Sequence, residues 1–375
     1  MVSYLENATQ LSTTISENEF QISDEVFTFG VVMIWIITCI TVFGNLLVIF
    51  SFIRDKSIRS KPANIFVLVL SIADTTVGVV SLPFANFWVM FGTWIFGETV
   101  CKINLFLDFS ACAISTWCIL LLTLDRYWMV KKHLRYKAFM THRKARILSA
   151  VVVLYFTLFY GINVFFWRLI STDEVDYTEE CFLAAGEILI FNIVIIFVEF
   201  LLILVLLIYW NSNVFKVVVD WSTGKSLRRD IQAKLKETKT IRAIPTNTKS
   251  PVISPSKNEG IRVFQGTQRN EIQKAATMLG AVVLGLLVCY TPYYIVLILG
   301  TLGVVEINDF ILTSVDYFLW FNSCLNPILY AATNEHFRRN FVEILSCRQK
   351  SKLNKHLRKA SNSATSTLQA VHMPR

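Results

Sequence analysis

An all-α fold is predicted, a seven-transmembrane helix bundle with a short amphipathic cytoplasmic eighth helix. Three observations predict it. Of 375 residues, 54% are hydrophobic and only 17% charged, with a mean hydropathy of +0.51, whereas soluble domains average about 25% charged residues. Seven apolar stretches reach the roughly 20 residues that a bilayer core demands of a helix. Basic residues collect in the segments between alternate stretches, as they do in cytoplasmic loops. The net charge of +9 is therefore no sign of a nucleic-acid partner, because it is dispersed in short segments between spans.

The stretches fall at residues 27–52, 63–90, 100–130, 145–170, 188–219, 273–302 and 310–332. The loop after the first carries Arg54, Lys56, Arg59 and Lys61, and residues 131–146 carry a similar load. Residues 171–180 hold Asp173, Glu174, Asp176, Glu179 and Glu180 with no Lys or Arg, which places that loop outside. The predicted organisation is an extracellular tail over 1–26, the membrane domain over 27–332, an amphipathic helix over 333–347 and a cytoplasmic tail over 348–375. The tail contains Asn7-Ala8-Thr9, a glycosylation sequon whose extracellular side agrees with the charge rule. It lacks the basic start and apolar core of a signal peptide, so the first span is expected to direct its own insertion. The long inner segment 216–274 is rich in Lys, Arg, Ser, Thr and Pro, and is expected to be largely disordered at its centre. Its ends are expected to extend the fifth and sixth helices.

An ionisable side chain at mid-bilayer costs about 2.5–3.5 kcal/mol on insertion scales, so each one asks for a reason. Asp74, Asp108, Glu199 and the pair Asp125-Arg126 stand out. Asp108 and Arg126 are 18 residues apart on one span, about five turns and 27 Å, and so share a helix face. For Asp108 the alternatives are an acid satisfied by neighbouring hydroxyls or one awaiting a cation. For Asp74 they are a hydrogen-bonded structural acid or a sodium ligand. Glu199 is either a neutral acid bonded within the bundle or a second acid facing the cavity of Asp108. Most of the eight cysteines sit in apolar helices and read as small hydrophobes. Cys101 and Cys181 fall instead on the outer, oxidising side. Cys347 follows the amphipathic stretch 335–345 and is a palmitoylation candidate.

Five motifs, one each on five of the seven spans, resemble the rhodopsin-like receptors that couple to G proteins. They are Gly44-Asn45, Ser71 to Asp74, Asp125-Arg126-Tyr127, Cys289 to Pro292 followed by Tyr293-Tyr294, and Asn326-Pro327-Ile328-Leu329-Tyr330. The resemblance covers residues 27–347. It implies a plasma-membrane receptor with an extracellular N-terminus, no enzymatic activity, a heterotrimeric G protein as partner and arrestin-type regulators. It also implies a bridge from Cys101 to Cys181, sodium near Asp74 and Asn45, and an activation relay through Asp125, Arg126, Tyr127, Tyr290, Asn326, Pro327 and Tyr330. Asp108 stands where amine receptors pair the ligand's ammonium. Glu199, with Trp320 to Ser323 and Tyr209 to Asn211, is similar to histamine receptors of the third and fourth types. On that reading Asp108, Glu199, Tyr293, Tyr294 and Trp320 contact a small cationic amine; the bland alternative for the three aromatics is helix packing.

The chain departs from the family pattern. Tyr290 replaces a Trp, Ile203 a helix-kinking Pro, His133 a Pro and Tyr317 a Trp, and the fourth span lacks its usual Trp and Pro. Glu271 is one position out of register for pairing with Arg126. The runner-up reading is a diverged receptor of the same fold with a muscarinic-like or non-amine ligand, or with constitutive signalling. A transporter would show paired half-repeats and broken helices at matching positions, which the sequence does not. No cofactor beyond the sodium is expected, and no His-rich cluster suggests a metal hydrolase.

Overall fold

A computed structural model describes residues 24–132, 136–167, 177, 181–222, 255–305 and 308–346. Helix α1 spans Asp24–Arg54, three residues earlier than the hydropathy suggested. Helix α2 runs over Asn64–Phe91, α3 over Gly97–Lys132 and α4 over His142–Phe165. Helix α5 is built from Leu189–Ile195, Ile196–Leu201 and Leu202–Ser222. Helix α6 covers Pro255–Thr301, α7 Asp309–Thr333 and α8 Glu335–Leu345. The fourth span stops short of the expected residue 170, because the chain leaves helical geometry at Phe166 (φ −108°, ψ 15°). Helix α6 begins inside the segment expected to lack order, so residues 255–274 are helical. Residues 223–254 lie outside those described.

Among the described residues six helices are long and apolar enough to cross a bilayer, α1 to α6. Helix α7 has the length, at 25 residues, but spends apolarity on Asp316, Asn322, Ser323 and Asn326. Three of these are buried, at 1–4% exposure, in the bundle interior. Large apolar side chains point outward instead, among them Ile190 at 72% and Phe215 at 69% exposure. Polar inside and apolar outside is stable only where lipid replaces water.

Helix α3 is the central post, packing against α2, α4, α5 and α6, while α7 closes the ring between α6 and α1. The closest approach of α1 and α7 sets a glycine requirement, since a Cβ on Gly44 would lie 2.6 Å from Pro327 Cγ. Close backbone approach through small residues is how membrane helices gain packing without a hydrophobic driving force. Asn45, next in sequence, donates to the Ser323 carbonyl at 3.0 Å and to the Thr41 carbonyl at 2.9 Å. The two family motifs thus form one α1–α7 joint.

Two helices contain a wide π-turn. In α2 it covers Val77–Ser81 and precedes Pro83, whose missing N–H breaks the regular ladder. In α5 it covers Ile196–Leu201, directly before Ile203, where the family keeps its proline. The π-turn carries Glu199 at its centre. Helix α8 starts at the Asn334 cap, which accepts from the His336 N–H at 3.1 Å. It lays Phe337 on Tyr330 (centroids 5.7 Å). Asn340 donates to Asp55 at 2.9 Å, and Arg54 pairs with Glu343 at 3.4 Å. These contacts fasten α8 beneath α1 and α7.

Candidate ligand pocket

A cavity of about 460 Å³ opens between the outer halves of the helices, within the 300–1,000 Å³ range of small-molecule sites. Asp108 from α3, Glu199 from α5, Tyr290, Tyr293 and Tyr294 from α6, and Trp320 from α7 all line it. Five of the six are the residues expected at a ligand, and Tyr290, expected in the relay, lines the cavity with them. The structure therefore brings the whole predicted ligand set to one cavity.

Its electrostatics are set by acids without cations. No Lys, Arg or His is among the described residues that line it. The Asp108 carboxylate accepts from the Trp320 indole N–H at 2.8 Å and from the Cys112 thiol at 3.6 Å. Trp320 thus presents its N–H to the acid as well as a ring to the cavity. Glu199 accepts from the Tyr160 hydroxyl at 2.6 Å. Tyr160 is 1% exposed and stacks on Phe109 (5.5 Å, 23°), so it fixes Glu199 against α3. A carboxylate has about four acceptor sites, so these bonds leave each acid capacity for a donor in the cavity.

The aromatic wall is held by stacking. Tyr294 lies parallel to Phe200 (4.6 Å, 14°) and edge-on to Tyr293 (5.2 Å, 88°). Tyr290 donates to the Cys112 carbonyl at 3.4 Å, a hydroxyl contact that the family's indole would not reproduce. Over the cavity, Cys181 bonds Cys101 across a Cα separation of 5.6 Å. That bridge joins the loop before α5 to the top of α3, as the resemblance implied. Residues 171–176 and 178–180 of the acidic loop lie outside the described residues.

Sequence reasoning missed three contributors. Asp316 on α7 also lines the cavity. As an acid inside a predicted span it carried the same signal as Asp108, and was overlooked. Cys112, one turn below Asp108, was read only as a small hydrophobe. Tyr160 had no signal, because Tyr155, Phe156, Phe159 and Tyr160 form an aromatic run in which nothing marks the inward member.

Below the cavity the second predicted cluster is assembled as well. The Asp74 carboxylate accepts from Ser115 and Ser323 at 2.9 Å each and from Asn326 at 2.7 Å. At the cytoplasmic end Asp125, fully buried, accepts from Tyr136 at 2.6 Å and lies 3.8 Å from Arg126. Burial and the Asp125 carboxylate push the Tyr136 hydroxyl well above the ordinary tyrosine range, so it remains a donor. Tyr127 stacks with Trp210 of α5 (6.4 Å, 29°). Asn7, Cys347 and the Glu271 side chain fall outside the described residues.

Seven helices around a lidded, acid-lined outer cavity, with an Asp-Arg-Tyr lock at the inner end, define a membrane receptor. The chain belongs to the 7 transmembrane receptor (rhodopsin family), whose model matches residues 44–330. It is 26% identical over 342 residues to the 5-hydroxytryptamine receptor 1B of Equus caballus and to that of Homo sapiens, covering 84% of this chain and 85% of each relative. The Mus musculus receptor of the same name is likewise 26% identical over 342 residues. The protein is accordingly a multi-pass plasma-membrane receptor and not an enzyme.

Proposed function

We propose that the receptor binds a small protonated amine in the outer cavity, with Asp108 as the counter-ion, and that binding drives a heterotrimeric G protein inside. The observation that carries this reading is the cavity itself, where Asp108 and Glu199 face an aromatic wall and no described lining residue is cationic. An ammonium group would gain a charge-assisted bond from Asp108 and cation–π contact with Tyr293, Tyr294 and Trp320 of about 0.5–2 kcal/mol each. The similar receptors are named for 5-hydroxytryptamine, which carries one basic nitrogen. Glu199 on the opposite wall favours a ligand with a second one, so the reading here is histamine-like.

Transmission to the inner face would shift a two-state bundle. Tyr290, which lines the cavity, bonds the Cys112 carbonyl of α3, and α3 leads to the Asp125–Arg126–Tyr136 cluster. Opening α5 and α6 would free Arg126 for the G protein, and the same face would receive arrestin-type regulators. Between the two ends, Asp74, Ser115 and Ser323 supply a carboxylate and two hydroxyl oxygens that fit a sodium ion. Asn45 and Asn326 each keep a side-chain oxygen buried there without a partner. Glycosylation at Asn7 and palmitoylation at Cys347 complete the proposed plasma-membrane form.

The test is a radioligand displacement panel of amines on membranes carrying the native chain and Asp108→Asn. A loss of roughly thirtyfold or more for cationic ligands is expected, as when one partner of a desolvated pair is removed. Unchanged affinity for every amine that binds would overturn the reading.

A further inference from the structure

Asp316 is a carboxylate in the cavity that the mechanism above does not use. It lies on α7 four residues before Trp320, about one turn and 6 Å nearer the extracellular end. Trp320 reaches Asp108, so the same face of α7 carries Asp316 just above the Asp108 contact. Asp316 lines the cavity together with Leu312, Thr313 and Trp320. It lies within electrostatic reach of Asp108, and Tyr293 lies within reach of Asp316, Glu199 and Asp108 alike. Asp316 differs from the other two acids in its partners. Asp108 has Trp320 and Glu199 has Tyr160, but among the described residues no side chain donates to Asp316.

Two carboxylates that line one cavity within electrostatic reach repel, and the repulsion grows as water is removed. One ammonium group at Asp108 answers only half of that charge. A chain of methylenes with an amine at each end answers both, while its apolar stem lies against the aromatic wall. We infer that Asp316 forms, with Asp108, a cation subsite bridging α7 and α3, so that the receptor takes a flexible aliphatic oligoamine with separated protonated nitrogens. Glu199 then meets a further nitrogen on the far wall. This rests on the amine-binding reading of the same cavity and sharpens it, since a compact monoamine leaves Asp316 unanswered.

The experiment uses the purified full-length receptor in lipid nanodiscs, with apparent affinities taken from ligand-dependent thermal stabilisation. Spermidine, a triamine, and butylamine, its monoamine fragment, are the probes. Spermidine is expected to bind the native receptor at least tenfold more tightly than butylamine. Asp316→Asn should weaken spermidine at least tenfold and leave butylamine within threefold, whereas Asp316→Glu, which keeps the charge, should retain the spermidine preference. Should Asp316→Asn fail to fold, a preference unchanged in Asp316→Glu but lost in Asp316→Ser supports the subsite. Butylamine binding that needs Asp108, combined with spermidine binding indifferent to Asp316, overturns the inference and leaves the amine reading standing. No Asp108-dependent binding of either probe overturns both.

Discussion

The Trp320 indole N–H donates to the Asp108 carboxylate at 2.8 Å, tying α7 to α3 directly at the ligand's expected counter-ion. The bond fixes the orientation of a carboxylate that lines the cavity. Trp320→Phe keeps an aromatic ring but removes the N–H donor together with part of the indole's bulk. Hydrogen bonds to charged groups contribute about 1.5–3 kcal/mol, so amine affinity should fall at least tenfold in displacement assays while surface expression stays near native. Affinity equal to the native receptor would mean that Asp108 needs no positioning.

Glu199 and Tyr160 form the opposing pair at 2.6 Å. Glu199→Gln should weaken dibasic agonists tenfold or more and simple monoamines little, because Asp108 alone holds the latter. Tyr160→Phe frees the carboxylate and should shift the same ligands in the same order, by a smaller amount. Equal losses for both ligand classes in Glu199→Gln would retire the histamine-like reading and keep a generic amine receptor.

The α1–α7 joint predicts a glycine-specific defect. A methyl at Gly44 meets Pro327 at 2.6 Å, whereas one at Gly280 meets nothing within 4 Å. Overpacking of this kind costs about 1–3 kcal/mol. Gly44→Ala should lower the melting temperature and surface yield of the receptor, and Gly280→Ala, in open space inside a helix, should lower neither. A thermal melt in which both behave alike would contradict the packing described.

Replacing Cys101 or Cys181 by Ser should release the loop over the cavity. Such bridges contribute about 2–5 kcal/mol in small secreted domains, and here the loss should appear as reduced surface expression or amine binding. Either mutant binding normally would show that the bridge is not needed to shape the cavity.

Signalling strength is expected to turn on Tyr290 and Ile203. A phenol bonded to Cys112 replaces the family's indole, and agonist responses in the native chain should be weak beside a well-behaved amine receptor. Tyr290→Trp with Ile203→Pro should strengthen them in a G-protein activation assay. The proline is expected to be tolerated, because the π-turn over Ile196–Leu201 already interrupts the ladder that its missing N–H would break. Robust native signalling, unchanged by the double substitution, would make both departures neutral.

Much of this receptor was legible from residue order. Hydropathy marked the spans to within a few residues apart from the inner end of α6, charge asymmetry gave an expected orientation, and an intramembrane acid announced a site by its insertion cost alone. Those signals are local, since each depends on a residue and its near neighbours in a bilayer. Helix α7 shows the limit. Its polar residues lower its apolarity, and only the bundle reveals that Ser323 and Asn326 bond Asp74 and so belong inside. Partnerships were decided by tertiary structure, because they join residues 39 to 252 positions apart across independently formed helices. Nothing in the run Tyr155 to Tyr160 says that Tyr160 turns toward Glu199, and nothing around Trp320 says that its N–H faces Asp108. Asp316 was visible as an acid, but that no described side chain donates to it was not. Whether a buried charge is satisfied depends on what the other helices bring to it, and that is settled only when they pack.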